Sequence, residues 1–271
     1  VFSDKEISRR FLEDFLEVKI DSIELLKEKH QLTDDASVVE FDFRCKIDDN
    51  YIIVDMQQWY KQDVVQRFYL YHALNSGLQL EDIPGKRVTI DRITRKIKKI
   101  KDYNVLEPVI TIIWMVDDTL NFNEDYVSYI MTPEIAVDFV KSEHLWHNPE
   151  IVDLLKERER VLTILSNKTK DLDFLPKNRL IFMFQKNIVK NKKIVPYEKW
   201  FEFAEKTRDE NNTEEDFLAF AGDRVFEEMM RRLSKNSLTE DDTMYIEDEK
   251  EFIEEMWRYD QGRIKEGIKK G

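Results

Sequence analysis

Two arms near the start of the chain alternate between apolar and polar residues. Val39, Phe41, Phe43 and Cys45 fall on one face of the first arm, and Glu40, Asp42, Arg44 and Lys46 on the other. This is the two-residue period of a half-buried strand. In the second arm Ile52, Val54 and Met56 share one face, expected to be buried, while Asp55 and Gln57 project to the opposite one. Asp48-Asp49-Asn50 between them is turn chemistry, so the arms predict a β-hairpin. With the turn centred between Asp48 and Asp49, Asp42 stands opposite Asp55 and Glu40 opposite Gln57.

Elsewhere the period lengthens to that of helices. Ile7, Phe11, Phe15 and Leu16 predict an amphipathic helix over residues 5–17, with Ser3 as N-cap and Glu6 completing a capping box. Residues 20–26 fit a short strand better than a helix. Val64, Phe68, Tyr71, Leu74 and Leu78 predict a helix over 62–80 that packs on the hairpin. Pro84-Gly85 breaks the chain. The near-continuous apolar runs at 108–116 and 180–184 predict strands buried on both faces. Between them lie a polar loop at 117–125, an edge strand at 126–131 and a helix at about 150–165. Phe217, Phe220, Val225, Phe226, Met229 and Met230 predict a helix over 214–233. The expected fold is α/β, a mixed sheet flanked by helices over residues 1–200, followed by a helical acidic appendage over 201–271.

Charge modifies this picture in one place. The chain carries a formal net charge of −13, which argues against a surface that grips nucleic acid over its whole extent. Residues 86–101 nevertheless hold eight basic residues, including Lys86, Arg87, Arg92, Arg95, Lys96, Lys98 and Lys99, against the single acid Asp91. A polyanion would be met there, although such runs are also common as solvated surface. Lys186, Lys190, Lys192 and Lys193 make a second, smaller basic patch. The single cysteine, Cys45, excludes an intrachain disulfide and a cysteine-based zinc site, and points to a reducing, cytoplasmic setting. No apolar run is long enough to span a membrane, so no membrane association is expected. The six glycines form no phosphate-cradling loop, which argues against a nucleotide cofactor.

The chemistry is concentrated in the hairpin. Directly opposed strand residues lie about 5 Å apart at Cβ, where like charges destabilise the sheet. A divalent ion such as Mg²⁺, with Mn²⁺ as a substitute, would remove the conflict between Asp42 and Asp55. His144 and His147 are three apart, yet nothing nearby completes a zinc site, and they read as surface histidines. Trp59-Tyr60 fits either base stacking or ordinary packing.

Asp42, Asp55-Met56-Gln57, the following helix with Arg67 and Tyr71, and the segment from Tyr103 to Ile112 resemble the PD-(D/E)xK nuclease family of transposase-associated, recombination-promoting nucleases. The resemblance spans roughly residues 10–185. It implies a restriction-endonuclease-like sheet and Mg²⁺-dependent cleavage of DNA phosphodiesters, with a homodimer expected by analogy. Asp42 and Asp55 would be the metal ligands, with the Met56 carbonyl as a third. Gln57 would stand where the wider superfamily has a lysine that orients water or steadies phosphate. Arg67 and the basic residues of 86–101, read as an insertion over about 84–102, would contact DNA; Arg67 fits equally a salt-bridged helix residue. Glu13 or Glu17 would supply a helix acid to the site. Asp for Glu at 55 and neutral Gln for Lys at 57 depart from the pattern. They keep open a second reading: a DNA-binding or protein-interaction module with a weakened site.

Overall fold

The computed structural model describes residues 1–27, 29–30, 39–48, 50–57, 63–81, 83, 85–90, 93, 97–147, 150–168, 174–209, 211–234, 244, 251 and 258. The chain divides into one unit of Phe2–Asn212 and another of Val1 with Thr213–Gly271. Helix α1 (Lys5–Leu16) opens the larger unit and buries Ile7, Phe11, Leu12 and Phe15. Its N-cap is Asp4, whose Oδ1 accepts from the backbone N–H of Glu6 at 2.8 Å and of Ile7 at 3.2 Å. The expected Ser3 cap is thereby displaced, because a carboxylate one residue closer satisfies the same orphan donors and complements the helix dipole.

Strand β1 (Ile23–Leu25) forms as the sequence predicts and pairs antiparallel with the hairpin. The first alternating arm, by contrast, is broken in two. β2 (Lys29–His30) and β3 (Val39–Glu40) make a separate small sheet in which Glu40 stands opposite Lys29, not Gln57. The chain then bends at Asp42 before β4 (Phe43–Ile47) begins. Phe41, at the break, is fully buried against Ile53 and Leu74 and meets the Tyr71 ring edge-on at 5.4 Å. Burial of one aromatic ring thus overrides an uninterrupted ladder. From Phe43 onward the predicted register holds. β4 and β5 (Asn50–Gln57) pair Phe43 with Val54 and Ile47 with Asn50, closing a two-residue loop in which Asp48 has φ 44°.

Helix α2 (Val64–Leu78) follows, and then β6 (Gly85–Ile90) and β7 (Ile97–Lys101) pair antiparallel as a two-stranded sheet of their own. The described backbone of the basic stretch is therefore a pair of antiparallel strands, a β-arm. It joins the sheet at the amino end of β8 (Val109–Met115). Just before that strand, Gln79 clamps Glu107 by two hydrogen bonds, accepting from its N–H at 2.9 Å and donating to its carbonyl at 3.0 Å. β9 (Tyr126–Ile130) lies at the sheet edge as expected. Helices α3 (Glu134–Lys141), α4 (Glu143–His147) and α5 (Ile151–Lys168) precede β10 (Arg179–Phe184), and α6 (Gln185–Asn191) and α7 (Glu198–Thr207) follow it. α7 lies in the larger unit and crosses the boundary placed at residue 200.

The six-stranded sheet has the order β1-β4-β5-β8-β10-β9. Its centre, β5-β8-β10, is parallel, and its flanks are antiparallel. Helices cover both faces. On one, Val64 and Phe68 of α2 pack with Ile113, Met115, Phe182 and Phe184. On the other, Trp114 stacks on Phe11 of α1 at 5.8 Å and meets Phe201 of α7 at 4.2 Å. Cys45 is fully buried, and burial pushes its thiol up to about 12, which makes it an inert core residue. Among the described residues no helix is long and apolar enough to cross a membrane.

The helix predicted over 214–233 is interrupted. A 3₁₀ turn at Glu214–Phe220 carries a Thr213/Asp216 capping box, and α8 (Arg224–Leu233) starts afresh from an Asp223 cap. Between them Gly222 adopts φ 86°, a conformation that costs L side chains energy. An added Cβ would meet nothing within 4 Å, so Gly222→Ala should destabilise by backbone strain alone, about 1 kcal/mol. Denaturant unfolding of the two proteins measures this.

Candidate functional site

The parallel centre of the sheet places Asp55, Met56 and Gln57 at the carboxyl end of β5, beside Ile113, Trp114 and Met115 of β8. Ligands of open α/β sheets gather at this end of the strands. Alternation sends Asp55 and Gln57 to the face that α2 covers, so both are buried, at 7% and 6% exposure, whereas Met56 is 39% exposed. The sequence reading had these reversed. It assumed one solvated face, but helices flank both, and what remains open is the strand end at Met56.

Asp42 joins them through the bend. Its Oδ2 accepts the backbone N–H of Met56 at 2.6 Å, taking the place of a ladder carbonyl that the broken arm no longer offers. Backbone groups of successive strand residues point to alternate sides. The Gln57 carbonyl accepts from Val116 N–H at 3.0 Å on the β8 side, so Met56 directs both its backbone groups toward β4. Its carbonyl therefore points to the same edge as Asp42, as expected for a third ligand.

The electrostatics follow from this crowding. Burial first, and the charge of Asp42 second, push the Asp55 carboxyl up to about 7, against the opposing pull of the Arg67 guanidinium and a hydrogen bond with the Asp42 backbone. Arg67 comes from α2, where its Nη2 donates to Gln57 Oε1 and its guanidinium lies 4.8 Å over the Phe68 ring. Asp63, Arg67 and Tyr71 are spaced by four and so share one stripe of the helix. Tyr71 is held above its ordinary value by burial, with the charges of Asp55, Asp42 and Asp63 adding to the effect and Arg67 opposing it. At the next residue of the same helix, His72 Nδ1 and Thr111 Oγ1 of β8 share a hydrogen bond of 2.9 Å, and burial lowers the His72 pKa.

Asp42, Asp55, Met56, Gln57 and Arg67 are thus brought together. Glu13 and Glu17 are not. Glu13 Oε1 accepts the N–H of Ile20 at 2.9 Å, and Glu17 is the exposed C-cap of α1 with φ 54°. Among the described residues no group of three or more His, Cys, Asp or Glu side chains is placed to hold a metal. The backbones of Lys86, Arg87, Lys98 and Lys99 lie on the β-arm, which joins the sheet at the end opposite Gln57. Arg92, Arg95, Lys96, Trp59 and Tyr60 fall outside the described residues. In the second basic patch Lys186 pairs with Asp117 at 3.6 Å and Lys193 with buried Asp125 at 3.2 Å. His144 and His147 are exposed on α4, as read.

Sequence reasoning missed the bond between Arg67 and Gln57 and the electrostatic contact of Tyr71 with both acids. The four-residue spacing of Asp63, Arg67 and Tyr71 was the available signal. No family model, curated protein or solved structure matches this chain.

Proposed function

We propose that this chain is a Mg²⁺-dependent DNA endonuclease built on a restriction-endonuclease-like sheet, related to the recombination-promoting, transposase-associated nucleases that its sequence resembles. The observation that carries this reading is the pair of carboxylates, one exposed and one buried, held against each other at the carboxyl end of β5. Two adjacent carboxylates with a backbone carbonyl on the same edge fit a hard cation that keeps most of its waters.

Asp42, Asp55 and the Met56 carbonyl would hold the ion. When bound, Mg²⁺ supplies Lewis acidity and a more acidic water. In the reaction a water oxygen bonds to phosphorus, the P–O ester bond breaks, and a proton ends on the leaving oxygen. Asp42, the solvent-facing acid, lies where substrate enters. Asp55, shielded by α2, keeps its orientation through the Asp42 backbone, and Arg67 offers its charge to the phosphate. The second reading, a DNA-binding or protein-interaction module with a weakened site, is favoured by Asp at 55 and a neutral Gln at 57, the two departures from the pattern that the sequence resembles.

Calorimetric titration of Mg²⁺ or Mn²⁺ into the parent and Asp55→Ala, with plasmid nicking on the same samples, separates the two. Binding and nicking that both vanish in Asp55→Ala support the nuclease. Metal-indifferent, salt-dependent DNA affinity without nicking supports the binding module. The nuclease reading also fixes a pH dependence. Only the ionised Asp55 ligates, so with its value raised to about 7 protons compete with the ion below that pH. Apparent Mg²⁺ affinity should fall as pH drops through about 7, by up to tenfold per unit; the same calorimetry repeated across this range checks it.

A further inference from the structure

A phosphodiester approaching Asp42 and Asp55 meets two negative charges, and the residue after Met56 is a neutral amide. The positive charge at this site comes instead from the helix. Arg67 projects from α2, one of its Nη donors is taken by Gln57 Oε1, and Gln57 is itself buried. The Arg67 Nε is also buried and meets no hydrogen-bond partner among the described residues. A buried N–H without an acceptor is uncommon in native proteins. Nε–H and the adjacent Nη donors form a planar fork that matches two oxygens of one phosphate.

We infer that Arg67 is the group that binds the phosphodiester at this site and that Gln57 is its positioning residue, acting on the guanidinium and not on the phosphate or the attacking water. This inference rests on the nuclease reading and changes its division of labour. The amide oxygen of Gln57 is committed to Arg67, and through that bond it fixes the angle at which the fork meets substrate. Phe68 beneath the guanidinium restricts its other freedom. Lysine, a point charge with no fork, could not hold Gln57 and two phosphate oxygens together in this geometry.

The test follows cleavage, metal binding and phosphate binding in one set of variants. At saturating DNA, Arg67→Gln should lower kcat by about 10²–10³-fold, with Mg²⁺ affinity by calorimetry changed only a few-fold. Arg67→Lys, which preserves charge and guards against a folding artefact, should recover a small part of that loss. Gln57→Ala should cost about tenfold in kcat, and Gln57→Lys in the Arg67→Gln background should regain activity by returning a cation to the strand. With Mg²⁺ present, dimethyl phosphate should move the Arg67 Nε–H resonance in the ¹⁵N spectrum of the parent, and move it less in Gln57→Ala. The inference is overturned by Arg67→Gln cutting as fast as a parent that binds Mg²⁺, or by a resonance that ignores dimethyl phosphate. A parent that neither binds Mg²⁺ nor cuts overturns the nuclease reading itself, and this inference with it.

Discussion

Asp42→Asn and Asp55→Asn should each reduce Mg²⁺-dependent nicking by at least about 10³-fold, roughly 4 kcal/mol of barrier, and the double variant should be no slower than either. On the proposed reading the two carboxylates would act as one unit. Oδ2 of Asp42 is fixed on the Met56 N–H, and that bond sets the spacing to Asp55 one residue away. An ion held by one remaining carboxylate loses its position as well as half its charge neutralisation, so the second substitution has nothing left to remove. Single-turnover nicking on the three variants, with circular dichroism as a folding control, measures this. Losses that multiply in the double variant would show two independent roles and would break the shared-ion assignment.

The register of the hairpin that carries Asp55 was legible in the sequence because it rests on local rules, whereas Asp42 lies at the bend before β4, outside the paired residues. Strict alternation and an Asp-rich turn leave one sensible register, and β4 and β5 adopt it. The buried runs that became β8 and β10 were legible for the same reason, since only strands covered on both faces are apolar throughout. What escaped was tertiary. Phe41 breaks the first arm because α2 offers Tyr71 and Leu74 to bury it, and no spacing within the arm encodes that. Met56 is exposed and Asp55 buried because helices lie on both faces, a fact about the whole sheet. The density of charge in residues 86–101 concealed a β-arm. Gly222 stopped a helix that apolar periodicity alone would have continued through residue 233. The bond from Arg67 to Gln57 joins the end of β5 to α2, and residue number says nothing about that distance.

Asp55→Asn should also make the metal-free protein more stable, an effect opposite in sign to its effect on cleavage. In the folded chain burial and the neighbouring Asp42 raise Asp55 from 3.8 to about 7. The folded state therefore keeps a proton that the unfolded state releases between those values, and stability falls as pH rises through that window. Above about pH 7 the penalty is complete. Three units at about 1.4 kcal/mol each set an upper bound of roughly 4 kcal/mol. Asn has nearly the same shape, can still accept from the Asp42 backbone, and carries no charge to desolvate. Near pH 8 without metal, its Tm should exceed that of the parent by on the order of 10 °C at most, and near pH 4 the difference should disappear. Mg²⁺ should then raise the parent's Tm, because it binds only the folded site, and leave Asp55→Asn unmoved. Thermal melts at the two pH values, with and without Mg²⁺, give all four numbers. A variant less stable than the parent near pH 8 would mean that Asp55 is compensated within the fold, and the argument from uncompensated charge to a bound cation would lose its footing. The expected pattern is that of a site which trades stability for function: the carboxylate expected to weaken the metal-free fold is the one that the proposed ion would require.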